Sequence, residues 1–213
     1  MAILFEDYLT EVRQDVPGCP ENTMIQAVRN ACIELCEKSL IWRENLAVTD
    51  VVQGTDKYQL VSADTEAAIH YPIHVAYNET ALSPKTEEEL DILDYAWRTA
   101  DENVPTFYLM EAAGLLWLNR KPNASILGGL VVRVSIKPAA DSTGAEDFIY
   151  NDWHEAIAHG AKRRLMEVAG KKWSNQKQSL YHGAKFNFYI NQALAKATKG
   201  NVKTSTTVQI PAW

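Results

Sequence analysis

The chain has 213 residues, 46% of them hydrophobic and 23% charged, which are the proportions of an ordinary folded domain able to bury roughly 70% of its open-chain surface; disordered, collagen-like and disulfide-stapled classes are excluded. The net charge of -6 hides a split: residues 1–160 carry 11 Lys and Arg against 26 Asp and Glu, a balance of -15, whereas residues 161–213 carry 10 against Glu167 alone, a balance of +9. No stretch nears the ~18 apolar residues of a membrane span, and Met1 to Asp7 lack the basic lead and apolar run of a secretion signal, so neither insertion nor export is expected.

Phe5, Tyr8, Leu9 and Val12 recur at i, i+3, i+4 and i+7, which predicts a helix over residues 3–15, stopped by Pro17 and Gly18. Met24, Ile25, Val28, Cys32, Leu35 and Cys36 keep the helical period from Asn22 to Leu40, with Pro20 suited to the helix start, and the two helices should form a hairpin. Cys19, Cys32 and Cys36 are an odd number and read as free buried thiols of a reducing compartment.

From Leu46 the pattern turns to β. Val48, Val51 and Val52 lead to a turn at Gly54-Thr55-Asp56, and Tyr58 and Leu60 resume alternation. Ile69, Tyr71, Ile73, Val75 and Tyr77 alternate as in a half-buried strand, with Pro72 arguing for an edge, so residues 44–82 read as a β-meander. Thr86 and Glu89 form a capping box that opens a short acidic helix through Leu90, Leu93 and Trp97. Three further strands are predicted at Thr106–Met110, Leu115–Leu118 and Leu130–Ile136.

The last third returns to helix. Ile149, Trp153, Ile157, Gly160, Ala161, Leu165 and Val168 trace one stripe that ends at Gly170. The next helix is apolar on two sides: Tyr181, Ala184, Phe188 and Ala195 on one, Phe186, Ile190 and Leu194 on another. Such a helix must bury both, and part of that surface is expected to meet another subunit. The fold class is therefore α+β, mainly α. Residues 1–43 and 145–199 should form a helical bundle from the N-terminal and C-terminal helix pairs, and residues 44–144 an inserted antiparallel β-meander with one short helix. Residues 200–213, β-branched and ending in Pro211 and Trp213, read either as a frayed end or as an extended C-terminal tail that docks on a partner, and the docking tail is the expectation taken forward.

No chemistry-bearing motif survives inspection. His154-Glu155-Ala156-Ile157-Ala158-His159 approaches the HExxH zinc helix, but its histidines are five residues apart. At about 100° per residue that puts them roughly 140° apart around the helix, against about 40° for the working spacing, so they cannot share one zinc. His70 and His74 fall on one face of a strand, with no third ligand at a usable spacing. Neither GxxxxGK[ST], GxGxxG nor GxSxG occurs. Glu87, Glu88, Glu89, Asp91 and Asp94 read as the solvated face of a surface helix. No catalytic residue, metal or cofactor is expected, and the chain is read as not an enzyme. Lys162, Arg163, Arg164, Lys171, Lys172 and Lys177 form the one candidate nucleic-acid patch, without a recognition motif around it. The same cations could instead meet acidic residues of this chain or of a neighbouring copy.

One stretch carries a family pattern. It runs from Val104-Pro105-Thr106-Phe107-Tyr108 through Leu115-Leu116-Trp117-Leu118-Asn119-Arg120-Lys121-Pro122 and Leu130-Val131-Val132-Arg133-Val134-Ser135-Ile136-Lys137-Pro138 to Tyr150-Asn151-Asp152-Trp153-His154-Glu155-Ala156-Ile157. Together with the opening helix pair, whose segment Cys32 to Trp42 leads through Arg43-Glu44 into the first strand, it resembles bacteriophage head-to-tail connector (adaptor) proteins over most of residues 5–198. The resemblance implies a structural virion protein at the head-tail junction, made in the host cytoplasm. It would form a homo-oligomeric ring, commonly twelve-fold, below the portal protein, extend the DNA channel without reading its sequence, and offer a platform to tail or neck proteins. His70, His74 and the long Ser/Thr tail stand outside the pattern. The expected partner contacts are Lys162, Arg163, Arg164, Lys171 and Lys172, with Val208, Ile210 and Trp213 in the tail. The alternative is a basic-patch nucleic-acid-binding or DNA-packaging accessory protein.

Overall fold

The structure, a computed structural model, describes residues 2–99, 101–112 and 114–200. It is α+β, with five α-helices and three sheets among the described residues. The chain opens with a short strand, β1 (Ala2–Leu4), paired antiparallel with β11 (Gly144–Glu146). The predicted first helix therefore starts late: a 3-10 turn spans Phe5–Tyr8 and α1 only Leu9–Arg13. Phe5, Tyr8, Leu9 and Val12 are nevertheless all buried, as the stripe requires. Residue 144 must be glycine for this pairing, because a Cβ there would stand 2.4 Å from the Ile3 carbonyl oxygen.

α2 (Glu21–Ser39) begins at Pro20, whose carbonyl accepts from the amides of Thr23 and Met24. Met24, Val28, Cys32, Leu35 and Cys36 are buried, and all three cysteines are free thiols. Against α2 packs a sheet of order β2-β10-β5-β6, with β3 also on β10. Its centre is β10 (Ile126–Pro138), flanked by β2 (Arg43–Asn45) and β3 (Thr49–Val51) on one side and by β5 (Ala67–Tyr77) on the other. Leu130, Val132, Val134 and Ile136 turn inward at period two and join the same core as the helices.

β5 departs from simple alternation. Its register against β10 shifts twice, between Arg133 and Val134 and between Ser135 and Ile136. Each shift flips the faces of the strand, so Pro72 is buried and Tyr71 is exposed, the reverse of the predicted pattern. Pro72 does lie on a locally open edge, since β6 (Thr80–Ala81) covers only Ala76 and Tyr77. His70 falls in the second shift, so the spacing that lined it up with His74 no longer holds.

The other sheet has order β4-β9-β8-β7, made of Lys57–Gln59, Leu115–Leu118, Phe107–Ala112 and Ser83–Pro84. β7 runs parallel to β8, and β10 joins strands distant in sequence; the β region is thus not the antiparallel meander expected from its spacing. α3 (Glu87–Leu93) carries the predicted capping box, but it ends before Trp97 because Asp94 turns extended. Leu90, Trp97 and Leu109 form a satellite cluster with Phe107 and Trp117, separate from the main core.

α4 (Asp147–Glu167) and α5 (Gln176–Lys199) follow. Their cross-links descend on one helix as they rise on the other, from Arg163 with Ser179 to Asp152 with Lys196, so the pair is antiparallel. At Gly160 a Cβ would lie 2.8 Å from the Ala31 Cβ and 2.9 Å from the Phe186 ring. Glycine there lets α2, α4 and α5 meet at one point.

Candidate functional site

The basic run divides once folded. Lys162, Arg163 and Arg164 lie on α4 beside α2, and each finds a carboxylate of the same chain. Lys162 pairs with Asp15 at 2.6 Å. Arg163 and Arg164 both donate to Oε2 of Glu34, at 2.6 and 2.7 Å, while Lys38 donates to Oε1 at 2.6 Å. Glu34 is buried. Burial alone would raise its carboxyl pKa, but the Lys38 hydrogen bond and the charges of Arg163, Lys38 and Arg164 outweigh that and hold it below the usual range. Glu34 thus clamps α2 to α4. The sequence run showed the cations but not this acceptor, since Glu34 is about 130 residues away from them.

Lys171 and Lys172 lie in the connection between α4 and α5 and are exposed, without an ion-pair partner among the described residues. The connection itself is well tied. The Ser174 amide donates to the Lys171 carbonyl, the Asn175 amide reaches back to Met166, and the Asn175 side chain caps α5 at Gln178. Two ammonium groups are therefore presented from an anchored turn. Lys177 follows in the first turn of α5 and is also exposed.

α5 shows the two predicted faces. Ser179, His182, Phe186, Ile190, Ala193 and Ala197 are buried against the body of the protein. Tyr181 and Phe188 are more than half exposed, and Leu180 is exposed as well. Leu194 keeps its place one turn after Ile190, on the side predicted for it, but is 41% exposed. A large apolar face in solvent is the mark of a surface made to be covered.

Between α4 and α5 the rings of His159 and His182 face each other with their Nδ1 atoms 2.7 Å apart. One nitrogen must donate and the other accept, so the pair holds only while it is not doubly charged. Burial, then the charges of His182, Lys162 and Lys185, push the His159 pKa down to about 4, Glu155 opposing. Burial and Lys162 also lower that of His182, against Asp15. Tyr189 stacks on His159 and donates to Glu155. His154 goes elsewhere, to the Tyr150 carbonyl and Glu11. The His154/His159 pairing considered from sequence is thus replaced by His159/His182, which links two helices and which no local spacing could reveal.

Among the described residues no group of three or more His, Cys, Asp and Glu could hold a metal ion, and no helix is long and apolar enough to cross a membrane. Val208, Ile210 and Trp213 lie outside the described residues.

No curated protein matches the chain. Among protein families, the one described as SU10 adaptor protein matches residues 4–210, nearly the whole length and both helical ends together with the β region between them. A match of that span takes in α2 with the Glu34 clamp, the β region and α5 alike, and the chain belongs to the SU10 adaptor protein family, a family of structural phage adaptors and hence of virion components.

Proposed function

We propose that the chain is a subunit of a phage head-to-tail connector. In this reading about twelve copies close into a ring below the portal protein, extend the DNA channel toward the tail, and give tail or neck proteins their attachment platform. The observation that carries it is the outer face of α5: a helix already buried on one side still exposes Tyr181 and Phe188 on the other. Heterologous contacts close around an axis when one surface complements a different one on the next copy, and the exposed Lys171, Lys172 and Lys177 set against the acidic excess of residues 1–160 offer charges of both signs for such contacts. The acidic excess of residues 1–160 suits a channel through which DNA slides without adhering. Residues 200–213, with Val208, Ile210 and Trp213, are the proposed anchor to the portal or to an adjacent subunit.

Particle imaging and native mass measurement of the chain mixed with the portal protein of the same phage test this reading. A closed ring seated on the portal is the expected result; a chain that stays single and never joins the portal counts against it. Lys171, Lys172 and Lys177, exposed around the start of α5, favour a second reading, nucleic-acid binding. That reading requires DNA affinity that falls steeply with salt, on the order of a hundred-fold or more between 50 and 200 mM.

A further inference from the structure

Two surfaces of the chain are apolar, exposed and of opposite charge. The first is the outer face of α5, where Tyr181 and Phe188 stand with Lys177 and Lys185. Spacings of three and four residues put these four side chains on one side of the helix. α5 contains four lysines and no Asp or Glu, and Lys177 and Lys185 have no carboxylate partner among the described residues.

The second is the arm built from α3 and the turns after it. Ile92 is 85% exposed and Tyr95 93%, and Leu93 is also exposed. Residues 83–104 carry seven Asp and Glu against Lys85 and Arg98. Most of these carboxylates have partners: Arg98 takes Glu87 and Asp91, Arg120 takes Asp94, Lys85 takes Glu89, and Gln53 donates to Glu102. Glu88 and Asp101 have none among the described residues, and Glu88 is one helical turn from Ile92 on the side of α3 away from buried Leu90.

We infer that the outer face of α5 in one copy docks on the outer face of the α3 arm in the next. This deepens the ring reading above and rests on it. Pairing α5 with α5 would set lysine against lysine, and pairing arm with arm would set carboxylate against carboxylate. Only the crossed pairing sets Lys177 and Lys185 against Glu88 and Asp101 while covering Tyr181, Phe188, Ile92 and Tyr95. A crossed contact is heterologous: each copy uses one surface forward and the other backward, which propagates until the ring closes.

The test uses the full-length chain. Phe188→Glu and Tyr95→Glu each place a charge where a side chain is already mostly solvent-exposed, and circular dichroism checks that the fold is kept. Each variant alone should fail to form rings, while an equimolar mixture should form dimers and nothing larger by light scattering, because each partner keeps one intact surface. Phe188→Cys and Tyr95→Cys give a second measure under oxidised glutathione, with the native thiols all buried. The mixture should yield roughly ten-fold more interchain disulfide than either variant alone, as the crossed pairing demands. Rings from either Glu variant, a mixture that stays monomeric, or equal disulfide yield from a single Cys variant would overturn the inference. If the parent chain forms rings, alone or on the portal protein, and the variants do too, the inference alone falls; if the parent chain stays monomeric even with the portal protein, the ring reading falls with it.

Discussion

Arg163 and Arg164 belong to the same basic third of the chain as Lys171 and Lys172, yet the two pairs meet different fates. The arginines are drawn into the seam between α2 and α4, where Glu34 takes both together with Lys38. The lysines, one loop later, remain in solvent. A run of like charges is thus not one surface. The helix face decides which cations are spent holding the fold and which are left for a partner, and the apolar residues divide the same way, with Phe186 and Ile190 inside and Tyr181 and Phe188 outside.

The hardest strike at the inner seam is at Gly160. Gly160→Leu forces a side chain into space held by Ala31 and Phe186, and it should cost about 3 kcal/mol, read from urea unfolding. Glu34→Gln leaves two guanidinium groups and an ammonium without their anion. It should cost about 2 kcal/mol, discounted because Arg164 is partly in solvent. If Glu34→Gln unfolds like the parent, the seam is ornamental and the contrast between the two basic pairs disappears.

A pH titration of stability probes the adjoining contact between α4 and α5. The unfolded chain protonates His159 near 6.5, whereas the folded chain resists until about 4. Across that window the unfolded state binds more protons, so stability falls as pH drops from about 6.5 toward 4. His159→Gln should flatten this slope; an unchanged slope would show that the His159/His182 pair carries none of it. The smallest effect belongs to the outer region: Lys171→Gln with Lys172→Gln should shift stability by no more than about 0.5 kcal/mol. Their effect should appear instead in binding to an acidic partner, measured at low salt.

Much of the fold was readable in advance because it follows local periods. The capping box at Thr86, the strands around Phe107, Leu115 and Leu130, and both long C-terminal helices lie where turn chemistry and spacing put them. The misreadings share a cause. Residues 2–4 join a strand because β11 offers them a ladder, and β5 changes face at Pro72 because β10 shifts its register. Both depend on partners far along the chain. The candidate site divides in the same manner: the two-faced character of α5 was legible, whereas the capture of Arg163 and Arg164 by Glu34 and the meeting of His159 with His182 were not.

Sequence by itself determined most of the helical and extended segments, which residues are apolar enough to be buried, and that the charges segregate along the chain, since each is a property of neighbours within a turn or two. Tertiary structure alone decided which cations are neutralised, which histidines touch and which side of α5 remains uncovered. Those outcomes depend on distances between helices set by close packing at points such as Gly160, and ion pairs and hydrogen bonds form only where that packing brings their atoms within about 3 Å.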